Sequence, residues 1–324
     1  MKDFIFCSVL ATYLQGFIDY KRALGYKYDV EAYTIKRFDT YWQENIGDST
    51  DITRESLWGW MERSPRESVT SRSSRISVIR QLTIYMNGIG KEAYIPPERY
   101  IKSHPVIHVL SMEEIVALFH AIDEYVPNRY PIFSIRMRQE YKVLFRLILT
   151  TGLRRTEAVS IRMNQIDWSV GTVMILDGKG RKDRLVYLSE DMLALLKQYR
   201  EYISGFIGKE PEWLFPSFDI DDHVSSGGVT IRFKKYWKMT PYSQTCEKDP
   251  TIHALRHTYV VIRINQWISQ GIDINVMLPY LSRQLGHKSP DETFYYYHQV
   301  QDAFRIIREK DSIAPAVIPE VRVR

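Results

Sequence analysis

The sequence predicts a mainly α-helical protein with one small antiparallel β-sheet, divided into two domains. Three observations carry that prediction. Apolar residues recur at helical spacing through most of the chain, as in Val9, Leu10, Tyr13, Leu14, Phe17 and Ile18. The period changes to two between Gln165 and Leu188, where Ile166, Trp168, Val173, Ile175, Leu185 and Tyr187 alternate with other residues. Residues 95–109, holding Pro96, Pro97 and Pro105, lack helical periodicity and read as an interdomain linker, because proline holds itself and its predecessor in extended geometry.

Composition sets the bounds. A chain of 324 residues with 44% apolar content can bury two cores and is not a disordered polymer. Lys and Arg number 44 against 39 Asp and Glu, a net charge of +5 that permits nucleic-acid binding without demonstrating it. Cys7 and Cys246 lie far apart with no metal-ligand spacing, so neither a disulfide framework nor a zinc knuckle is indicated. The opening MKDFIFCSVLATYLQGFIDY is broken by Asp3, Gln15 and Asp19 and is no signal peptide. No stretch reaches the roughly 18 apolar residues of a membrane span, so a soluble, cytoplasmic protein is expected.

In chain order, a first helix ends at Leu24-Gly25-Tyr26, a second covers about 30–42, and a third begins near Thr53 and carries Leu57, Trp58, Trp60 and Met61. A fourth, about 70–87, places Ile76, Ile79, Leu82, Thr83 and Met86 on one side. It also presents Arg72, Arg75 and Arg80 among Ser71, Ser73 and Ser74, a row suited to phosphate contact; a solvated face would look the same. After the linker, Ser111-Met112-Glu113-Glu114 offers a capping box and the start of the second domain.

The second domain opens with a buried central helix over Tyr141–Thr151, ended by Gly152, with Arg154 in the following turn. Glu157 is placed to orient nearby basic groups, or is an ordinary helix N-terminal acid. The three-stranded sheet follows, and its hairpin DGKGRKDR carries Lys179, Arg181, Lys182 and Arg184. Arg181 and Arg184 are read as solvated tip residues. Residues 189–204 form another helix. In 229–239, Arg232, Lys234, Lys235 and Lys238 interleave with Phe233, Tyr236 and Trp237, which fits a DNA-facing helix and equally a plain amphipathic one.

Two clusters near the end concentrate the chemistry: TIHALRHTY at 251–259 and RQLGHKSPDETFYYYHQV at 283–300. His253 and Arg256 share a helix face, and His287 precedes Tyr295, Tyr296 and Tyr297. A guanidinium fits non-bridging phosphate oxygens, imidazole moves protons near neutral pH, and a phenol becomes a nucleophile once deprotonated.

The order H-x-L-R-H, L-G-H, Tyr resembles the C-terminal signature of the tyrosine recombinases, or phage-integrase family. Upstream stand two further matches to that family's pattern, Thr151-Gly152-Leu153-Arg154-Arg155-Thr156-Glu157 and Gly178-Lys179-Gly180-Arg181-Lys182. The resemblance covers about half the chain. It implies a helical core-binding domain over 1–95, a linker over 96–109, a catalytic domain over 110–311 and a tail, 312–324, exchanged between protomers or simply frayed. It also implies double-stranded DNA recombination sites as substrate, a homo-tetramer on synapsed DNA formed from monomers, accessory DNA-binding proteins, a bacterial nucleoid-associated setting, and no metal or other cofactor.

The implied mechanism is type IB. A tyrosine attacks the scissile phosphate to give a 3′-phosphotyrosyl link and a free 5′-hydroxyl. Arg154 and Arg256 clamp the non-bridging oxygens, Lys179 protonates the leaving oxygen with Lys182 as its fallback, His253 accepts the tyrosine proton or holds a phosphate oxygen, and His287 donates to the phosphate. Family spacing puts the nucleophile nine residues after the L-G-H histidine, at Tyr296, with Tyr297 and Tyr295 as alternates. From Arg256 to His287 is 31 positions, and the stretch around MLPYLS resembles mobile-element integrases and transposases more than compact chromosomal, dimer-resolving recombinases.

Two rivals stand beside this reading. A metallohydrolase could use His253, His257 and His287, but Ala254 stands where H-E-x-x-H needs its Glu. A DNA-binding regulator could keep the fold without catalysis.

Overall fold

The computed structural model describes residues 4–65, 67–97, 108–126, 132–176, 183–287, 289 and 291–294. The chain divides into two units, Met1–Pro105 and Val106–Arg324. Among the described residues, no helix is long and apolar enough to cross a membrane.

The first unit is helical. Helices α1 (Ala11–Ala23), α2 (Asp29–Asn45), α3 (Trp58–Met61) and α4 (Val69–Gly88) turn their apolar stripes onto one core of Leu14, Phe17, Ile35, Phe38, Trp42, Ile79, Leu82 and Met86. The third helix is shorter than the sequence predicts: Arg54–Leu57 form turns, and four residues alone are helical. Asp39 is fully buried, yet it is satisfied by the backbone N–H groups of Cys7 and Ser8, both at 2.9 Å, and by Lys36 Nζ.

One expectation for this unit is corrected. Arg75 was placed in a phosphate-facing row, but it lies in the buried stripe of α4 and is 8% exposed. Its guanidinium holds Glu67 in a bidentate pair at 2.8 and 2.7 Å, donates to the carbonyls of Trp60 and Glu62, and stacks on the Trp60 ring. Arg72 Nε donates to Met61 O at 2.7 Å and Arg80 Nη1 to Pro96 O at 2.8 Å, so each of these guanidiniums also braces the fold.

The second unit opens with α5 (Met112–Glu124), whose capping box joins Ser111 and Glu114 in both directions. Then come α6 (Ile132–Thr151), α7 (Arg155–Val159), β1 (Ile166–Asp167), β2 (Thr172–Ile175), β3 (Arg184–Tyr187), α8 (Glu190–Ile207), α9 (Ser226–Lys238), α10 (His253–Ser269), α11 (Ile274–Leu285) and α12 (Asp291–Phe294). The sheet order is β1-β2-β3, antiparallel throughout, with Ile175 opposite Arg184. Helix α6 runs through the main core, lending Leu144, Phe145, Leu147 and Ile148 to it, while α10 and α11 share a smaller cluster around Val260, Ile264, Leu278 and Leu281.

Strand β3 faces the other way from its expected pattern. Leu185 and Tyr187 point outward at 57% and 54% exposure, and Arg184 and Val186 point inward. With Leu185, Val186 and Tyr187 all apolar, the alternation could not be phased from composition.

Candidate active site

Three chain segments meet at the end of α11. The first follows α6. Gly152 adopts the left-handed region at φ 69°, and a Cβ there would fall 2.5 Å from the Tyr259 ring, so glycine is required by both backbone and space. Its carbonyl accepts from Arg256 Nη1 at 2.7 Å. Two residues on, Arg154 caps α7 in an extended conformation, and its backbone N–H and Nη1 both donate to Glu157, at 2.9 and 2.8 Å.

Glu157 accepts from a second arginine as well. Arg184 Nη1 and Nη2 reach its two oxygens at 3.1 and 2.7 Å, with both residues 8% exposed. Burial would raise the Glu157 carboxyl, but the bonds and charges of Arg184 and Arg154 hold it below the usual range. Arg184 was read from sequence as a solvated hairpin residue. It is instead buried, and its Nε donates to Gln284 O at 2.7 Å. No signal in the sequence singles it out: the fold pairs it directly with Ile175, whose side chain is buried.

The second segment is the start of α10. Arg256 is 1% exposed, and its Nη2 donates to Leu285 O at 2.8 Å and to His287 Nε2 at 3.0 Å. Arg154 Nη2 reaches the next carbonyl, Gly286 O, at 3.1 Å. Two guanidiniums distant in sequence therefore end on consecutive carbonyls, immediately before His287. His253 opens α10 with a solvent-exposed edge, and its ring meets that of His257 edge-on at 4.4 Å.

The third segment is the α11 terminus itself. Gly286 closes the helix at φ 64°, and a Cβ there would lie 2.9 Å from Arg184 Nη1. His287 follows, half-buried, with Nδ1 2.7 Å from Thr293 Oγ1. Burial first, then the charges of Arg256, Arg154 and Arg184, push His287 down to about 3. Partial burial followed by Arg256, Arg154 and Arg155 pushes His253 to about 4, and burial followed by His253 and Arg256 pushes His257 to about 3. Near neutral pH these imidazoles are uncharged, each with one ring nitrogen able to accept a hydrogen bond.

The structure thus brings together Arg154, Glu157, Arg256, His287 and, missed by sequence reasoning, Arg184. Arg155 turns away to Thr230 on α9. Lys179, Lys182, Tyr295, Tyr296 and Tyr297 lie outside the described residues. Arg232 and Lys235 gather instead around Tyr125: Lys235 Nζ donates to its hydroxyl at 2.8 Å and Arg232 Nη1 at 3.3 Å, and the Lys235 bond holds that phenol below its usual range. Among the described residues, no group of three His, Cys, Asp or Glu side chains could hold a metal ion.

The four charged groups, Arg154, Arg184 and Arg256 against Glu157, leave two positive charges in excess. Such an arrangement suits an anionic ligand whose charge grows during reaction.

Comparison with known proteins places this geometry. A Sinorhizobium fredii protein named as an integrase/recombinase, y4rE, is 26% identical over 313 residues, spanning 94% of this chain and 96% of the relative. The tyrosine recombinase XerC of Oceanobacillus iheyensis is 24% identical over 314 residues, spanning 91% and 94%. In fold, the chain is similar to a lambda integrase tetramer bound to a Holliday junction, with TM-score 0.65, 18% identity and coverage of 89% and 76%. It is also similar to the Tn1549 transposon integrase in complex with transposon right end DNA, with TM-score 0.63, 16% identity and coverage of 92% and 98%. Residues 108–303 match the phage integrase family across more than half the chain, and this protein belongs to that family of tyrosine recombinases.

Proposed function

We propose that this chain cuts and rejoins double-stranded DNA at specific sites through a 3′-phosphotyrosine formed by Tyr296, in the integration, excision or transposition of a mobile element. The observation that carries the reading is the convergence of Arg154 and Arg256 on the Leu285 and Gly286 carbonyls beside His287. A phosphodiester seated between these guanidiniums gains a further negative charge at the pentacoordinate transition state, which the excess positive charge stabilises without a metal. His253, neutral and open to solvent, takes the phenol proton as Tyr296 attacks phosphorus. Lys179 returns a proton to the departing 5′-oxygen, and the phosphotyrosyl bond keeps the energy needed for resealing by another 5′-hydroxyl.

His287 acts in two stages. Without DNA its Nε2 accepts from Arg256 and cannot donate. A bound phosphate offsets the arginines that depress it, so the imidazole gains a proton and donates to a phosphate oxygen. The helical unit 1–95 grips the duplex, Arg232 and Lys235 add phosphate contacts, and four protomers synapse two sites with residues 312–324 passed to a neighbour. Mobile-element work is favoured by the long Arg256–His287 interval. The Xer-type names among relatives favour dimer resolution as the second reading.

The test is a nicked suicide duplex with wild type and Tyr296→Phe in EDTA. A covalent adduct in wild type alone supports the reading. An adduct that survives the substitution moves the nucleophile to Tyr297 or Tyr295, and one abolished by chelator overturns the metal-free mechanism. Specific binding with no adduct identifies a silent DNA-binding protein.

A further inference from the structure

His287 makes polar contacts through both ring nitrogens, and together they fix the orientation of the ring. Nε2 lies 3.0 Å from Arg256 Nη2, and Nδ1 lies 2.7 Å from Thr293 Oγ1. A guanidinium offers donors and no acceptor. Nε2 must therefore be the lone-pair nitrogen, and the neutral imidazole carries its proton on Nδ1. The Thr293 hydroxyl then accepts that proton's hydrogen bond, although a hydroxyl could in principle have donated. Neutrality itself follows from the surroundings, since burial and the facing charges of Arg256, Arg154 and Arg184, with His253 beyond, oppose a second proton.

Thr293 is placed unusually for a threonine. It is fully buried, sits in the four-residue α12, and stands three positions ahead of Tyr296. Its hydroxyl links the imidazole that engages Arg256 to the short helix leading into the tyrosine triplet.

We propose that Thr293 is a positioning residue: its hydroxyl accepts from the Nδ1–H that Arg256 imposes on His287, orients the ring with its Nε2 lone pair on Arg256, and ties α12 to the imidazole. Thr293 touches no reacting atom and acts through His287. The proposal rests on the recombinase reading for its catalytic consequence, but its claim about the orientation of the ring stands independently of it.

The segment has other ties. Ser282 Oγ donates to Ser289 O at 3.4 Å, and Glu292 N donates to the same carbonyl at 3.3 Å. Loss of the Thr293 hydroxyl therefore leaves the turn closed. The variants are Thr293→Val, which keeps shape and removes the acceptor, and Thr293→Ser, which keeps the acceptor and removes a methyl.

Imidazole nitrogen NMR on the full chain reads the tautomer and the exchange of its proton. Wild type and both variants should show His287 protonated at Nδ1, with that proton protected from solvent exchange in wild type and Thr293→Ser and exchanging fast in Thr293→Val. Single-turnover cleavage of the suicide duplex reads the consequence. Thr293→Val should slow adduct formation at saturating DNA by about tenfold with DNA affinity unchanged, and Thr293→Ser should restore most of the rate. An equally protected Nδ1–H in Thr293→Val overturns the proposal. Equal impairment of the two variants also overturns it, because the side chain would then matter for packing rather than for its hydroxyl. If wild type forms no adduct, the recombinase reading falls, and the NMR arm still decides the role of Thr293.

Discussion

Glu157 and Arg184 meet through two parallel hydrogen bonds, 3.1 and 2.7 Å long, although strands β1 and β2 separate them in the chain. The pair locks the root of β3 to the corner that presents Arg154, and Arg184 Nε extends the lock to Gln284 O in α11. Substituting Arg184 by Gln leaves a buried carboxylate with Arg154 alone. We expect a loss of about 3 kcal/mol in urea unfolding, within the range for breaking a buried pair, and a drop in DNA cleavage larger than the drop in DNA binding. A loss below about 0.5 kcal/mol would place the pair among surface bridges.

Acid should unfold the second unit early. The folded-state pKa values of His287, His257 and His253 lie near 3, 3 and 4, below the usual histidine value of 6.5. The unfolded chain therefore binds more protons between about pH 6.5 and those values, and stability must fall as pH falls through that window. The depressed Glu157 carboxyl adds the same sign at lower pH. Urea titrations from pH 7.5 down to 4 check this, and a flat stability across that range contradicts it.

Arg75 should behave as a core residue. Arg75→Gln removes the bidentate partner of Glu67 and the stacking on Trp60, and is expected to destabilise the first unit by about 2–3 kcal/mol. DNA affinity at a temperature where the variant stays folded should keep its salt dependence. A salt slope reduced by about one charge with unchanged stability would restore Arg75 to the phosphate-facing row.

Gly286→Ala combines two penalties. Its φ of 64° disfavours any Cβ, and that Cβ would sit 2.9 Å from Arg184 Nη1. The backbone penalty alone is about 1 kcal/mol, and displacing Arg184 should add to it. We expect both a lower melting temperature and slower adduct formation. A fully active, equally stable variant would show that the guanidinium yields freely.

Much of this was legible in the sequence, because the helices carry clean apolar spacing and Ser111–Glu114 announces its own cap. The motif arginines and His287 were singled out by their resemblance to a family pattern, and the fold brings them together. Arg184 was not, since phasing a strand needs a polar face and β3 is apolar on both. Arg75 was misread because charge was weighed above its place four residues before Ile79 in the buried stripe. Thr293 carried no signal at all: the orientation of a ring is decided by two partners that the chain brings together only on folding.

The surplus positive charge around Arg154, Arg184 and Arg256 has a consequence for the protein in the test tube. A fold that holds like charges together, with Arg184 and Arg256 buried and Arg154 partly exposed, gains from any counter-ion that the solvent brings to Arg154. Its melting temperature should therefore depend on the chemical identity of the buffer anion at fixed ionic strength. Sulfate or phosphate, tetrahedral and doubly charged, should raise it above the value in chloride, gaining about 1.4 kcal/mol per tenfold rise in concentration beyond half-saturation. If the proposed function holds, the same ions should slow strand cleavage by competing with the scissile phosphate, so a stabilising storage buffer would be an inhibitory assay buffer.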